Sequence, residues 1–286
     1  MLKTLRALMQ PPPGLAFDFS QPPGEPALAP PDGVAWRVFA NPVSLFVGGV
    51  AAVVLELAEP SVRSGVWNGG GFQRDPGLRL RRTGFAAMMT VYGPRSAAEK
   101  LIAHVVQVHD RVRGSTPDGL PYYANDPRLL DWVQASAVFG FSEAYHRYVQ
   151  PLSPFEKDVA FAESQAAARL YGATGAPRSW SAWEALLAST VPSLEGSPIL
   201  SDFLTIMDTT ALLPAPMRPL QRLLVRAAVD IVPAPLRALP QLRGRGLRAG
   251  ETHLVRALAR SIALLPLGDT PPQQAARRLA GPHRNP

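Results

Sequence analysis

The sequence predicts an all-α protein folded as a single helical domain, and three observations carry that reading. Helix-start signals recur along the chain, the alternating apolar patterns of half-buried strands are almost absent, and proline-rich stretches gather toward the two ends. At 286 residues and 47% apolar, the chain can fill one large or two small cores. No internal repeat divides it.

Residues 1–35 (PPPG, QPPGEP, APPDG) form a proline-rich arm, extended or disordered and free to wrap the body. The helical domain spans 36–270. Asn41-Pro42, Asp75-Pro76 and Asp126-Pro127 each place a capping side chain before a proline at the first helical position. Ser96 with Glu99, Ser153 with Glu156 and Ser181 with Glu184 are spaced as capping boxes. These signals predict helices over 42–58, 60–67, 76–92, 96–113, 127–149, 154–171, 181–188 and 198–207, with others near 216–231 and 250–264. Residues 271–286 are read as an irregular tail.

The absence of cysteine excludes disulfides, iron-sulfur clusters, thiolate zinc sites and covalently attached c-type haem. A net charge of +7 comes almost wholly from arginine, scattered apart from RLRRT at 79–83 and LRGRGLR at 242–248. Nucleic-acid binding would want basic residues on one face with aromatics between them, so no nucleic-acid partner is expected. MLKTLRALMQ runs into Pro11, Pro12 and Pro13 rather than into an apolar stretch, so the expected location is cytoplasmic. The longest apolar run, Ser44–Ala58, contains Glu56 and falls short of the roughly 20 residues that cross a bilayer. It reads as a core helix, and no stable membrane span is expected.

Among residues able to do chemistry, His109 stands out. The helix that carries it shows an apolar stripe through Ala98, Leu101, Ile102, Val105, Val108 and Val112, and His109 falls within the stripe while His104 lies at its edge. A buried imidazole either finds hydrogen-bond partners for both nitrogens or binds a metal. Paired metal ligands on one helix usually sit four apart, and Glu-x-x-His pairs on two helices would mark a di-iron site; neither pattern occurs. One histidine in an apolar helical pocket is enough for haem, whose iron takes four ligands from the porphyrin.

FQRDPGLRLRRTG places Arg79, Arg82 and Thr83 on the first turns of a helix, where cations oppose the helix dipole. They suit an anionic partner, or else form a solvated basic helix end. In LELAEPSV, Glu56 reads as a surface residue, whereas Glu59 before Pro60 sits at a helix junction and could pair with Arg79 or Arg82. In PRLLDWVQASAVFGFSEAYHRYV, Gln134 needs a polar partner, Glu143 and Arg147 are spaced for an ion pair, and His146 reads as a packing histidine. The triple glycine of VWNGGGF is a turn rather than a phosphate loop, since no strand precedes it.

In order, LELAEPSVRSGVW, FQRDPGLRLRRT, VYGPRSAAE, VHDRVRG, PDGLPYYANDPRLLDWVQA and EAYHRYVQPLS resemble the MpaB-type oxygenase family, which includes the rubber oxygenases, or latex-clearing proteins. The likeness runs from about Asn41 to Tyr171. It implies an all-α fold with a globin-like helical core around a non-covalent b-type haem. The family's His-x-x-Val-x-Gly motif falls on His109, which would be the proximal iron ligand. Its Arg-x-x-Lys-Thr element falls on Arg79, Arg82 and Thr83, and its distal glutamate corresponds to Glu59. Three departures stand out: Glu59-Pro60 where many members have His-Pro, Gln134 where many have a histidine, and Arg82 in place of the lysine. Arginine stays protonated and cannot ligate iron, so the sixth position should be open or hold water.

The resemblance therefore implies a haem b-dependent oxygenase acting with dioxygen on an apolar, unsaturated or isoprenoid-like small molecule, with Glu59, Arg79, Arg82 and Thr83 at the catalytic centre. The electron donor is not written in the sequence. The alternative is a helical haem- or lipid-binding carrier or sensor without turnover.

Overall fold

The computed structural model describes residues 14–265 and 268–280, and these are helical apart from loops and one small hairpin. A short α1 (Val34–Phe39) leads to α2 (Pro42–Ala58), which forms the centre of the core. Asn41 starts α2 by accepting from the amides of Val43 (2.9 Å) and Ser44 (3.3 Å). A helix that is apolar nearly all round must be enclosed on all sides. Val47, Ala51, Val54, Leu55, Leu57 and Ala58 are indeed fully covered.

At Glu59-Pro60 the chain turns by 111° into α3 (Pro60–Asn68), and no single helix among the described residues is long and apolar enough to cross a membrane. The triple glycine is the expected turn. Gly70, with φ of 67°, leads into the four-residue α4 (Gly71–Arg74). Asp75 then caps α5 (Pro76–Tyr92) through the Leu78 amide at 2.8 Å, and α6 (Arg95–His109) follows.

Asp126 caps α7 (Pro127–Tyr148), the long helix that lies along α2. Their crossing is made of glycine. A Cβ at Gly48 would fall 2.6 Å from Phe141 Cα, and one at Gly140 would fall 2.5 Å from the Gly48 carbonyl oxygen. Beyond α7 come α8 (Pro154–Glu163), α9 (Gln165–Tyr171), α10 (Trp180–Thr190) and α11 (Pro198–Thr209). Trp183 of α10 stacks on Trp132 and Phe139 of α7, with centroids 5.7 and 4.9 Å away. Helix α12 (Arg218–Ile231) packs on α2, and α13 (Ala234–Arg237), α14 (Glu251–Ala263) and α15 (Pro271–Ala280) complete the body.

Several expectations are corrected. The helix predicted over 96–113 stops at His109, and β1 (Arg113–Ser115) pairs antiparallel with β2 (Pro121–Tyr123) just beyond it. Asp110 holds that end, accepting from the Tyr123 hydroxyl (2.6 Å) and the Asn125 amide (2.8 Å). The predicted 154–171 helix breaks at Ser164, whose hydroxyl bonds back to the Phe161 carbonyl at 2.8 Å. Ser153 and Glu156 do form a capping box. Ser96 instead binds Glu25 of the arm, and Ser179 rather than Ser181 caps α10. Glu143 pairs with Lys157 (3.3 Å) and Arg147 with Asp230 (3.5 Å), not with each other.

Neither end is irregular throughout. Phe19, Ala27, Leu28 and Ala29 of the arm are buried, and the expected tail holds α15. The fully buried Arg278 of α15 donates to the carbonyls of Phe19 (2.5 Å), Glu25 (2.8 Å) and Tyr92 (2.8 Å), so it clasps the arm to the end of α5. Residues 1–13 of the predicted arm and 281–286 of the predicted tail lie outside the described residues.

Candidate functional site

Three helices bring chemistry together at one place. Glu56 stands on the last turn of α2 between Leu55 and Leu57, both fully covered, yet Glu56 itself is partly accessible. Burial raises the Glu56 carboxyl from its ordinary 4.5 to about 7, against the opposing pull of the Arg79 guanidinium. Arg79 comes from α5, is exposed, and holds its guanidinium 5.8 Å from the centroid of the Phe72 ring.

His109 is the last residue of α6 and is half-covered. Burial pushes its pKa below the ordinary histidine value and Arg79 adds to that push, while Asn125 and Asp110 oppose it. Arg79 thus acts on both Glu56 and His109. Its charge thereby links residues of α2, α5 and α6. Val53, Leu80, Leu101 and Val106 of the same helices pack on the core and are also incompletely covered.

The environment of His109 is specific. Its Nδ1 is buried with no hydrogen-bond partner, and so is the side-chain oxygen of Asn125 beside it. The Asn125 amide nitrogen donates to the Val106 carbonyl (3.0 Å) and to Asp110 Oδ1 (2.8 Å). Those two bonds fix which end of the amide is nitrogen and leave Oδ1 as an acceptor with nothing yet to accept. The stripe reading placed His109 well inside the core; only Ala98 and Ile102 of that stripe are buried, and Val108 is exposed.

Arg82 and Thr83 lie on the exposed early turns of α5 with Arg79, as predicted. Neither Arg79 nor Arg82 is paired with a carboxylate in a salt bridge among the described residues. Thr83 donates its hydroxyl to the Arg79 carbonyl (3.0 Å), which leaves the oxygen as an acceptor.

Glu59 is elsewhere. Its Oε2 accepts from the Val62 amide (2.7 Å) as the cap of α3, and its Oε1 accepts from Arg128 (3.1 Å) at the start of α7. The expected pairing with Arg79 or Arg82 is not made, because the turn at Pro60 gives this carboxylate a helix N-terminus to cap. Glu56 takes the place beside Arg79. Its signal in the sequence was a lone carboxylate inside an apolar run, in a helix whose every face is buried. Gln134 is half-covered and its amide makes no hydrogen bond, whereas His146 accepts from the Leu152 amide (2.9 Å) as a packing histidine.

Among the described residues no group of three or more His, Asp or Glu side chains is arranged to hold a metal ion. No curated protein and no solved structure matches the chain. One family does, described as ER-bound oxygenase mpaB/B'/rubber oxygenase, catalytic domain, over residues 36–264. That match runs from α1 to the end of α14 and includes Glu56, Arg79, Arg82, Thr83 and His109. By this match over most of its length, the chain belongs to the mpaB/rubber oxygenase catalytic-domain family, an oxygenase family.

Proposed function

We propose that this oxygenase is cytoplasmic and haem b-dependent, that it acts on an apolar, unsaturated or isoprenoid-like small molecule, and that His109 binds the haem iron. The observation that carries the reading is the state of His109: half-covered, shifted by burial toward its neutral form, with a buried Nδ1 that makes no hydrogen bond. A buried imidazole with no structural task would ordinarily bond its nitrogens to the protein. A neutral imidazole keeps the lone pair that a metal needs.

The donor set also fits. An ion that takes its whole coordination sphere from side chains finds no such cluster among the described residues, whereas haem iron asks for one histidine. Bound haem would supply the redox-active iron that dioxygen chemistry requires.

The chain's own residues would do the rest. His109 Nε2 would be the ligand atom, and the unpaired Asn125 Oδ1 beside the ring would accept from Nδ1–H, which would set the tautomer and orient the ring. Arg79 and Arg82 offer positive charge to haem carboxylates or to negative charge developing on the substrate. As a permanently charged guanidinium, Arg82 would serve as a cation and hydrogen-bond donor rather than as an iron ligand. Glu56, with a pKa near 7, exists in both protonation states at neutral pH and can give or take a proton, the role that the resemblance had assigned to Glu59. Thr83 contributes an acceptor, and the incompletely covered Val53, Leu80, Leu101 and Val106 would offer apolar surface to an apolar substrate.

Protein made with ample haem should be red with a Soret band, and His109→Ala should lose the band while keeping its helical circular dichroism. A colourless wild type would sink the haem assignment. Oxygen consumption with added alkenes then separates an enzyme from a carrier.

A further inference from the structure

The segment from Arg218 to Arg260 carries nine arginines, at 218, 222, 226, 237, 243, 245, 248, 256 and 260, against two carboxylates, Asp230 and Glu251. Both carboxylates are engaged. Glu251 accepts from Arg226 at 3.0 and 2.6 Å, and Asp230 is 3.5 Å from Arg147. The remaining guanidinium groups have no carboxylate of their own in a salt bridge, although Arg256 and Arg260 also donate to the carbonyls of Arg147 and Val149 at the end of α7. Arg237 at the end of α13 and Arg248 in the loop into α14 line an open surface cavity of about 430 Å³, which Asp230 also lines.

Helix α14 adds a second, independent feature. Its inner face buries Val255, Ala259 and Ile262. Its outer face presents Leu254, Ala257, Ser261 and Leu264, at the spacing of one helical stripe, and Leu254 and Leu264 are 61% and 86% exposed. His253 and Arg260 flank the stripe and are also exposed. A single exposed leucine is ordinary, but two on one stripe of a helix set in a cationic segment are the pattern of a helix that lies in a membrane interface.

We propose that the outer face of α14, with the Leu242–Gly250 loop before it, docks on an anionic phospholipid surface. Leu254 and Leu264 enter the boundary between headgroups and acyl chains, and the arginines, Arg237 and Arg248 among them, meet the lipid phosphates. Charge complementarity selects an anionic surface. The exposed leucines select lipid over nucleic acid, as does the lack of any Phe, Tyr or Trp after Phe203 on which a base could stack. The inference does not rest on the haem assignment. It would bring the oxygenase to the phase in which apolar molecules dissolve.

The test is sedimentation of the full chain with vesicles of phosphatidylcholine alone or of phosphatidylcholine mixed with phosphatidylglycerol. The wild type should pellet with the mixed vesicles, stay in solution with the neutral ones, and be released by high salt. Leu254→Ser with Leu264→Ser changes only exposed side chains, so melting and circular dichroism should be unchanged while vesicle affinity falls roughly tenfold or more. Arg237→Gln with Arg248→Gln should weaken binding to the anionic vesicles. The proposal is overturned if the wild type pellets with neither vesicle or equally with both, or if the leucine pair pellets as the wild type does. Binding to a DNA duplex that the leucine pair leaves intact, without vesicle binding, would reassign the face to polyanions and overturn it as well.

Discussion

Glu56 and Glu59 stand three residues apart and meet burial in opposite ways. Glu59 has both oxygens bonded, to the Val62 amide and to Arg128, so its charge is compensated where it lies. Glu56 has only the nearby charge of Arg79, and desolvation wins, raising its pKa to about 7. The folded protein therefore holds this proton to higher pH than the unfolded chain does. Stability from this group is present below the ordinary pKa of 4.5 and falls as pH rises toward about 7, so Glu56→Gln should flatten the decline of Tm over that window. A wild type and variant with parallel Tm profiles would show that Glu56 is solvated. At the same scale, on the proposed ligation of haem by His109, Asn125→Leu removes the acceptor beside Nδ1 and should speed haem loss to an acceptor globin by about 10–100-fold, with helical content unchanged. His109 was singled out by its stripe and its motif, but the stripe overstated its burial, since only Ala98 and Ile102 of it are buried. The influence of the Arg79 charge on Glu56 was not legible, because a helix periodicity says which face is buried and not which residue of another helix lies near it.

Helix starts that depend on neighbours within three residues were legible from the chain. Asn41, Asp75, Asp126 and Ser153 all cap as their spacing predicts. Where a distant residue competes for the capping group the prediction fails, as at Ser96, which Glu25 takes across 71 residues. The end of α6 follows the same rule, since Tyr123 and Asn125 hold Asp110 and stop the helix at His109. The α2–α7 crossing belongs to this scale too. Each of Gly48 and Gly140 leaves room for the other backbone, so Gly48→Ala should cost about 1–3 kcal/mol in chemical denaturation through overpacking, despite the better helix propensity of alanine. An unchanged midpoint would mean that the two helices separate at no cost.

At the scale of the whole molecule, the two ends close on each other through Arg278. Its guanidinium answers three carbonyls, from Phe19, Glu25 and Tyr92, and α5, which ends at Tyr92, also carries Arg79, Arg82 and Thr83. Arg278→Met keeps the length of the side chain and leaves those carbonyls unanswered. It should cost roughly 1.5–3 kcal/mol and expose residues 14–30 to limited proteolysis; resistance equal to that of the wild type would mean that the arm is held by Phe19 and Leu28 alone. The sequence by itself determined the helical class, most helix starts, the exclusion of thiolate chemistry and the family likeness that His109 and the Arg79–Thr83 element carry. These follow from composition and from groups close along the chain. Only the tertiary structure decided that Glu56 rather than Glu59 faces Arg79, that α6 ends at His109 beside Asn125, and that α15 clasps the arm. Each of these joins partners far apart in sequence, and desolvation and hydrogen-bond competition act on what is near in space.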